Sequence, residues 1–268
     1  GSEMCIRDRL NTYLDYNATA PVWPKVIEGA GEAMKTLGNP SSIHAFGRDA
    51  RNLVEEAREK IASLVNAKPS QIIFTSGGTE ANNLALNQGK SIPLIVSSIE
   101  HDSVLKAQTM TKLIDVDSEG VICLEHLNSL LAESEEASLV SIMLANNEIG
   151  VIQPISEMGA ICREKKVFLH TDAAQAIGKI PFNVNDLNVD LLSLTAHKVY
   201  GPMGIGALYV RRTPRVRLEP MFNGGGQENG MRSGTLSPPL CVGLGQAMNI
   251  ANLEMEREAL RLKALRDR

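Results

Sequence analysis

Short apolar runs alternating with helix-length stretches constrain this chain more than any other feature. The runs are IIFT (72–75), LIVSS (94–98), IDVD (114–117), LVSIMLA (139–145), VFLHTD (167–172), DLLSLT (190–195) and IGALYVR (205–211). Most are continuous rather than alternating, which fits strands covered on both faces. Between them lie stretches with helical spacing. Residues 24–37 read as one helix, ending at Gly38. Residues 46–66 carry Val54, Ala57, Ile61, Leu64 and Val65 on one stripe. Further helices are expected from SGGTE (76–80) through Leu86, near 102–110, and over 123–133, 155–166 and about 240–266. The pattern predicts an α/β domain, a mostly parallel sheet with helices on both faces.

The 268 residues suit one large domain, and 43% apolar residues are enough for a sizeable core. The opening GSEMCIRDR has no pattern, so residues 1–10 read as a tag or sequencing scar. The domain is placed at 11–250, and 251–268 continues its last helix. A net charge of −4 with no basic block argues against nucleic-acid binding. No apolar run reaches the roughly 18 residues of a membrane span. Cys5, Cys123, Cys162 and Cys241 are scattered without a CxxC, which fits the reducing cytoplasm rather than a disulfide or zinc scaffold.

In open parallel sheets, ligands bind beyond the carboxyl ends of the strands. Those ends carry Ser76-Gly77-Gly78-Thr79, Glu100-His101, Asn146-Asn147-Glu148, Thr171-Asp172 with Gln175, and Thr195-Ala196-His197-Lys198. Each alone has an ordinary structural reading as a cap, a turn residue or a solvated side chain. SGGT is neither a Walker A loop nor G-x-G-x-x-G. Together they hold an anion cradle at a helix start, a histidine, a carboxylate and a lysine. That set suits pyridoxal 5'-phosphate, which needs an anion site, a stacking group, a carboxylate for its ring nitrogen and a Schiff-base lysine. Asp172 and Lys198 stand 26 residues apart, one strand–helix–strand step, so neighbouring strand ends can present both.

Several separated motifs carry a resemblance: YLDYNATAP (13–21), GNPSSIHAFGR (38–48), FTSGGTEANNLAL (74–86), IEHDSVL (99–105), ANNEIGVIQPI (145–155), HTDAAQAIGK (170–179), TAHKVYGPMGIGAL (195–208) and GGGQENGMRSGT (224–235). The chain resembles the cysteine desulfurases and selenocysteine lyases, within the class V aminotransferase family of fold-type I pyridoxal phosphate enzymes. The resemblance implies a seven-stranded large domain. It makes Lys198 the cofactor lysine, pairs Asp172 with the ring nitrogen and puts Gln175 on the ring hydroxyl. His101 is the stacking group and acid/base. Gly78, Thr79, Thr195 and His197 hold the phosphate, and Asn147 meets the cofactor and the substrate carboxylate. Thr235 reaches the phosphate of the neighbouring subunit, which implies a homodimer.

The implied reaction takes sulfur from L-cysteine and leaves L-alanine. A loop cysteine carries the sulfur to an acceptor protein, either an iron–sulfur scaffold or a tRNA-thiolation relay. That cysteine, the substrate-carboxylate arginine and a small C-terminal domain are expected after Arg268. The chain as given is therefore expected to hold cofactor weakly or not at all, and not to complete desulfuration. Asn229 stands where relatives commonly have a basic residue, Gln227 at a variable position, and Ala20 where Thr is common. Other readings stay open: a selenocysteine lyase or another class V enzyme, a non-catalytic binding or scaffold protein, and last a Rossmann-like nucleotide binder.

Overall fold

The structure is a computed structural model and describes residues 12–87, 93–108, 111–133 and 139–268. Its elements are α1 (Pro24–Met34), α2 (Ala45–Leu64), β1 (Ile72–Thr75), α3 (Gly78–Leu86), β2 (Leu94–Ser97), α4 (Asp102–Leu105) and β3 (Thr111–Ile114). After them come α5 (Leu124–Ala132), β4 (Leu139–Ser141), α6 (Ile155–Glu164), β5 (Phe168–Asp172), β6 (Leu191–Thr195), β7 (Gly206–Val210) and α7 (Pro238–Arg266). The seven strands form one sheet in the order β1-β7-β6-β5-β4-β2-β3. Only β7 runs against the rest. The carboxyl ends of the other six strands therefore share one edge.

Strand alternation sorts the side chains into two faces. Ile72, Phe74, Ile95, Val140, Leu169, Leu192, Leu194 and Tyr209 join a core with α1, α2, α5, α6 and α7. From α2 come Val54, Ala57 and Ile61, and from α7 come Leu244, Ala247 and Met248. Each Val, Leu, Ile, Phe or Met side chain among them, fully buried, contributes roughly 1.5–3 kcal/mol. The opposite face packs Ile73, Leu191, Leu208 and Val210 against Ala81, Leu84 and Ala85 of α3. Leu94, Val96 and Leu139 pack there with Leu86 and Val104. Toward the carboxyl edge this second face becomes polar while staying buried, with Ser141, His170, Asp172, Ser193 and Thr195.

Several boundaries differ from the sequence reading. The strand expected at 114–117 lies at Thr111–Ile114, and Val116 makes only an isolated bridge to Ile122. The helix near 102–110 is one turn, Asp102–Leu105; residues 109–110 lie outside the described set. No helix joins β5 to β6. Backbone bonds close two short turns, onto Ala173 O and Ala176 O, and Gly178 (φ +68°) and Pro181 keep them from continuing as a helix. β6 and β7 form an antiparallel pair, which a continuous apolar pattern does not disclose. The last helix passes without interruption through the boundary drawn at 250, and its last buried residue is Ala251.

Candidate active site

Gly77 begins the site. It sits at φ +154°, ψ −177°, a region that side chains other than glycine's hydrogen essentially exclude. The conformation turns β1 into α3 within two residues. Gly206, paired with both Thr75 and Thr195, passes directly beneath: a Cβ there would fall 2.8 Å from Gly77 Cα. A pocket of about 490 Å³ opens above this crossing. Gly78, Thr79, Thr195 and His197 line it together, joined by Ser76, Thr19 and Glu80. A Cβ on Gly78 would make ordinary contact with Thr195, at 3.6 Å, so glycine there keeps the floor open rather than relieving a clash. The free N–H groups of α3 and its dipole favour an anion in this pocket.

Asp172 ends β5 beside Ser193 of β6, three residues before Ala196-His197-Lys198. It is buried, and both oxygens are held. Oδ1 accepts from the Ala174 amide at 2.8 Å, and Oδ2 accepts from Asn82 Nδ2 at 2.7 Å. Asn82 Nδ2 also donates to Ser103 Oγ at 2.8 Å, and Ser103 Oγ lies 2.8 Å from His101 Nδ1. The Ser103 amide donates to the same Nδ1 at 3.1 Å. His101 and Asp172 are thus the ends of one polar chain whose middle members were not singled out from sequence.

Lys198 is half-buried. Its Nζ donates to the carbonyls of Asn17 and Ala18, the latter at 2.8 Å. Burial pushes its pKa below the ordinary lysine value, against the pull of Asp15 and Asp172. Burial also lowers His197, and the Lys198 charge adds to the effect. Gln175 Nε2 donates to Asn17 O at 2.9 Å, and Asn17 Nδ2 donates to Asn147 O at 3.0 Å. Asn17 therefore ties together three strand ends. Its motif, DYNATAP, was visible in the sequence, but its role was not.

Three more groups gain their partners only in the structure. Arg232 grips Glu80 with two bonds, 2.7 and 3.2 Å, while Glu80 accepts from the Ser76 amide at 2.7 Å. Burial alone would raise the Glu80 carboxyl; Arg232 and Ser76 outweigh it and hold the group below its ordinary value. Glu100 is buried, accepts from Ser97 Oγ at 2.6 Å and the Met143 amide at 2.7 Å, and is pushed up to about 8 by burial and by nearby Asp172. Lys179 donates to Gln175 Oε1 at 2.6 Å. Asn147 contributes its backbone carbonyl, while Asn146 spends its side chain on the turn, accepting from the amides of Glu148 and Ile149. Thr235 is exposed and does not line the pocket of its own chain.

These residues fit pyridoxal 5'-phosphate: an open-floored anion cradle, a firmly held buried carboxylate and a partly desolvated lysine lie along one sheet edge. Two donors, Lys198 Nζ and Gln175 Nε2, already converge on a single oxygen, that of Asn17. Fold and site define a protein of the fold-type I pyridoxal phosphate class. The chain belongs to the class V aminotransferase family, whose profile matches residues 12–268. It is 50% identical to cysteine desulfurase IscS of Rickettsia massiliae, over 97% of this chain and 66% of that protein. It is 48% identical to the mitochondrial cysteine desulfurase of Arthroderma benhamiae, over 96% of this chain and 54% of that one. The chain thus spans between about half and two thirds of these relatives' length. A NifS-like protein from Rickettsia africae superposes with a TM-score of 0.91 at 37% identity, covering 95% of this chain and 72% of that one.

Proposed function

We propose that the whole protein is a pyridoxal 5'-phosphate-dependent cysteine desulfurase, taking sulfur from L-cysteine and leaving L-alanine. One observation carries the reading. Asp172 and the His197-Lys198 pair leave adjacent parallel strands beside the anion cradle of α3. Relatives named cysteine desulfurase support the substrate, and one similar structure, of SspA, was obtained with cysteine (40% identity, TM-score 0.83, 89% of this chain and 72% of that one).

When bound, the cofactor supplies an aldehyde that amines can bond and a ring that accepts electrons. This chain's residues do the rest. Burial of Lys198 increases the share of neutral amine, the nucleophilic form. The Asn17 and Ala18 carbonyls aim that nitrogen. Asp172, fixed by Asn82 and Ala174, presents a negative charge to the ring nitrogen and favours its protonated form. The Ser103 amide occupies His101 Nδ1 with a donated hydrogen, which leaves Nε2 to carry the proton of the neutral ring. His101 then offers an aromatic face and a proton at Nε2.

We place the sulfur-accepting thiol outside the described residues. Burial pushes the Cys162 and Cys241 thiols up to about 12. Cys123 caps α5 and donates to Glu125 Oε2 at 3.4 Å. We further propose a homodimer, with exposed Thr235 serving the partner's phosphate, an acceptor protein for the sulfur, and a cytoplasmic location. No helix among the described residues is long and apolar enough to cross a membrane. The test is to give the full-length protein L-cysteine and a reductant. Equal amounts of alanine and sulfide are expected, and alanine production that persists in Lys198→Ala would overturn the reading.

A further inference from the structure

Gln175 poses a problem that its own chemistry does not solve. An amide has a donor end and an acceptor end of nearly equal size, and packing alone does not choose between them. The resemblance puts Gln175 on the ring hydroxyl of the cofactor. Whether that contact is a donated hydrogen bond depends on which end faces the site.

Lys179 decides the matter. An ammonium has three hydrogens and no acceptor. Its Nζ donates to Gln175 Oε1 at 2.6 Å, so the oxygen must turn toward Lys179. The NH2 group then faces the opposite way, where Nε2 donates to Asn17 O at 2.9 Å, the oxygen that Lys198 also meets. Reversing the amide would set hydrogens against the ammonium and oxygen against oxygen. Both bonds would be lost at once.

The backbone keeps the two side chains in register. Gln175 and Lys179 are four residues apart across the two successive turns that follow β5, the first closed onto Ala173 O and the second by the bond from the Lys179 amide to Ala176 O. Gly178 lets the turn pass under α7. At φ +68° a Cβ there would fall 2.7 Å from the Ala251 side chain and 3.2 Å from Val199. Lys179 is half-buried with Ala176 and Ile177 packed in the core beside it, which limits its freedom to swing into water.

We propose that Lys179 is a positioning residue: it locks the Gln175 amide so that a hydrogen-bond donor, and not an acceptor, enters the cofactor site. The inference rests on the cofactor reading above. It concerns an oxygen of the ligand that carries negative charge or lone pairs where Gln175 Nε2 points.

The experiment is a titration of full-length, cofactor-stripped protein with pyridoxal 5'-phosphate, read by the visible absorption maximum and the dissociation constant. Lys179→Met should displace the maximum and weaken binding about tenfold, the equivalent of one charge-assisted hydrogen bond. Lys179→Arg keeps a donor-only cation and should restore the wild-type maximum. Gln175→Glu keeps an oxygen toward Lys179 but replaces the inward donor with an acceptor, so it should reproduce the displaced maximum of Lys179→Met. A wild-type maximum and affinity in Lys179→Met or in Gln175→Glu would overturn the proposal. Should Lys179→Met lose its cooperative thermal melt, Gln175→Glu and Lys179→Arg decide alone. A wild-type protein with no visible band at all would instead sink the cofactor reading.

Discussion

Asn82 donates its amide to Asp172 Oδ2 at 2.7 Å, although 90 residues separate the two in sequence. α3 delivers Asn82, and β5 delivers Asp172. The helix whose first turn forms the anion cradle therefore also holds the carboxylate that would face a ring nitrogen. Phosphate end and ring end are set by one rigid element. Asn82 is fully buried, and its Oδ1 has no hydrogen-bond partner among the described residues.

Asn82→Leu should expose this coupling. It removes the donor to Asp172 and Ser103 and leaves the buried Asp172 Oδ2 without its partner, a cost of about 1–3 kcal/mol. Urea unfolding should show a lower midpoint with an unchanged slope. Cofactor titration should show weaker binding as well, because Asp172 loses its fixed direction. Stability lost with cofactor affinity intact would mean that Asn82 serves the fold alone.

Lys198→Ala tests the lysine directly. Borohydride should fix pyridoxal 5'-phosphate to the wild-type protein and not to the variant, as read by mass spectrometry of the peptide spanning 195–208. Lys179 is the competing amine, since burial and the Lys198 charge lower it to about 8. Fixation that moves to Lys179 in the wild type would assign the wrong lysine to the chemistry.

Much of this site was legible because a parallel strand is a continuous apolar run and its end is marked by the first polar residues. Ser76, Asp172 and Thr195 were found that way, and the apolar stripe of Val54, Ala57 and Ile61 marked α2 as simply. What lay hidden depends on distance in sequence or on direction. The bond between Asn82 and Asp172, the grip of Arg232 on Glu80 and the role of Asn17 join segments that no local pattern links. The antiparallel course of β7 was hidden because an apolar run reads alike in either direction. The β5–β6 connection failed as a helix because Gly178 and Pro181 interrupt it.

Arg58 and Glu228 form another long-range pair, 170 residues apart, with two bonds of 2.8 Å in a buried setting. Glu228 also accepts from the Phe74 amide at 2.7 Å, and the guanidinium lies 4.8 Å from the Phe74 ring centroid. The pair anchors the 224–235 segment to β1. Arg58→Met leaves a buried carboxylate without its partner and should cost about 3–5 kcal/mol in chemical denaturation. Arg58→Met with Glu228→Gln should cost less than the single change. A double variant weaker than Arg58→Met would show that the charges act independently.

Glu100 ties the end of β2 to the backbone after β4, and its protonation should make stability fall as pH rises. Its carboxyl is raised from an ordinary 4.5 to about 8 in the folded chain. Between those values the native state holds a proton that the unfolded chain has released. The associated stability is fully present below about pH 4.5 and lost by about pH 8. His170, bonded to Ser141 and Ser193 and pushed down by burial to about 3, acts in the opposite sense. Its contribution is present above its ordinary 6.5 and lost as the pH falls toward 3. Above pH 6.5 His170 is silent, and the other groups that titrate there, Lys179 among them, cancel when the wild type is compared with a variant altered only at Glu100. Glu100→Gln mimics the neutral acid and should remove it. Subtracting the variant's unfolding free energy from that of the wild type, measured in urea from pH 6.5 to 8.5, should give a descending line. Its slope should be at most about 1.4 kcal/mol per pH unit, the limit for one proton. A flat difference would mean that Glu100 is ionised in the folded protein and that Asp172 shares the site with a second negative charge.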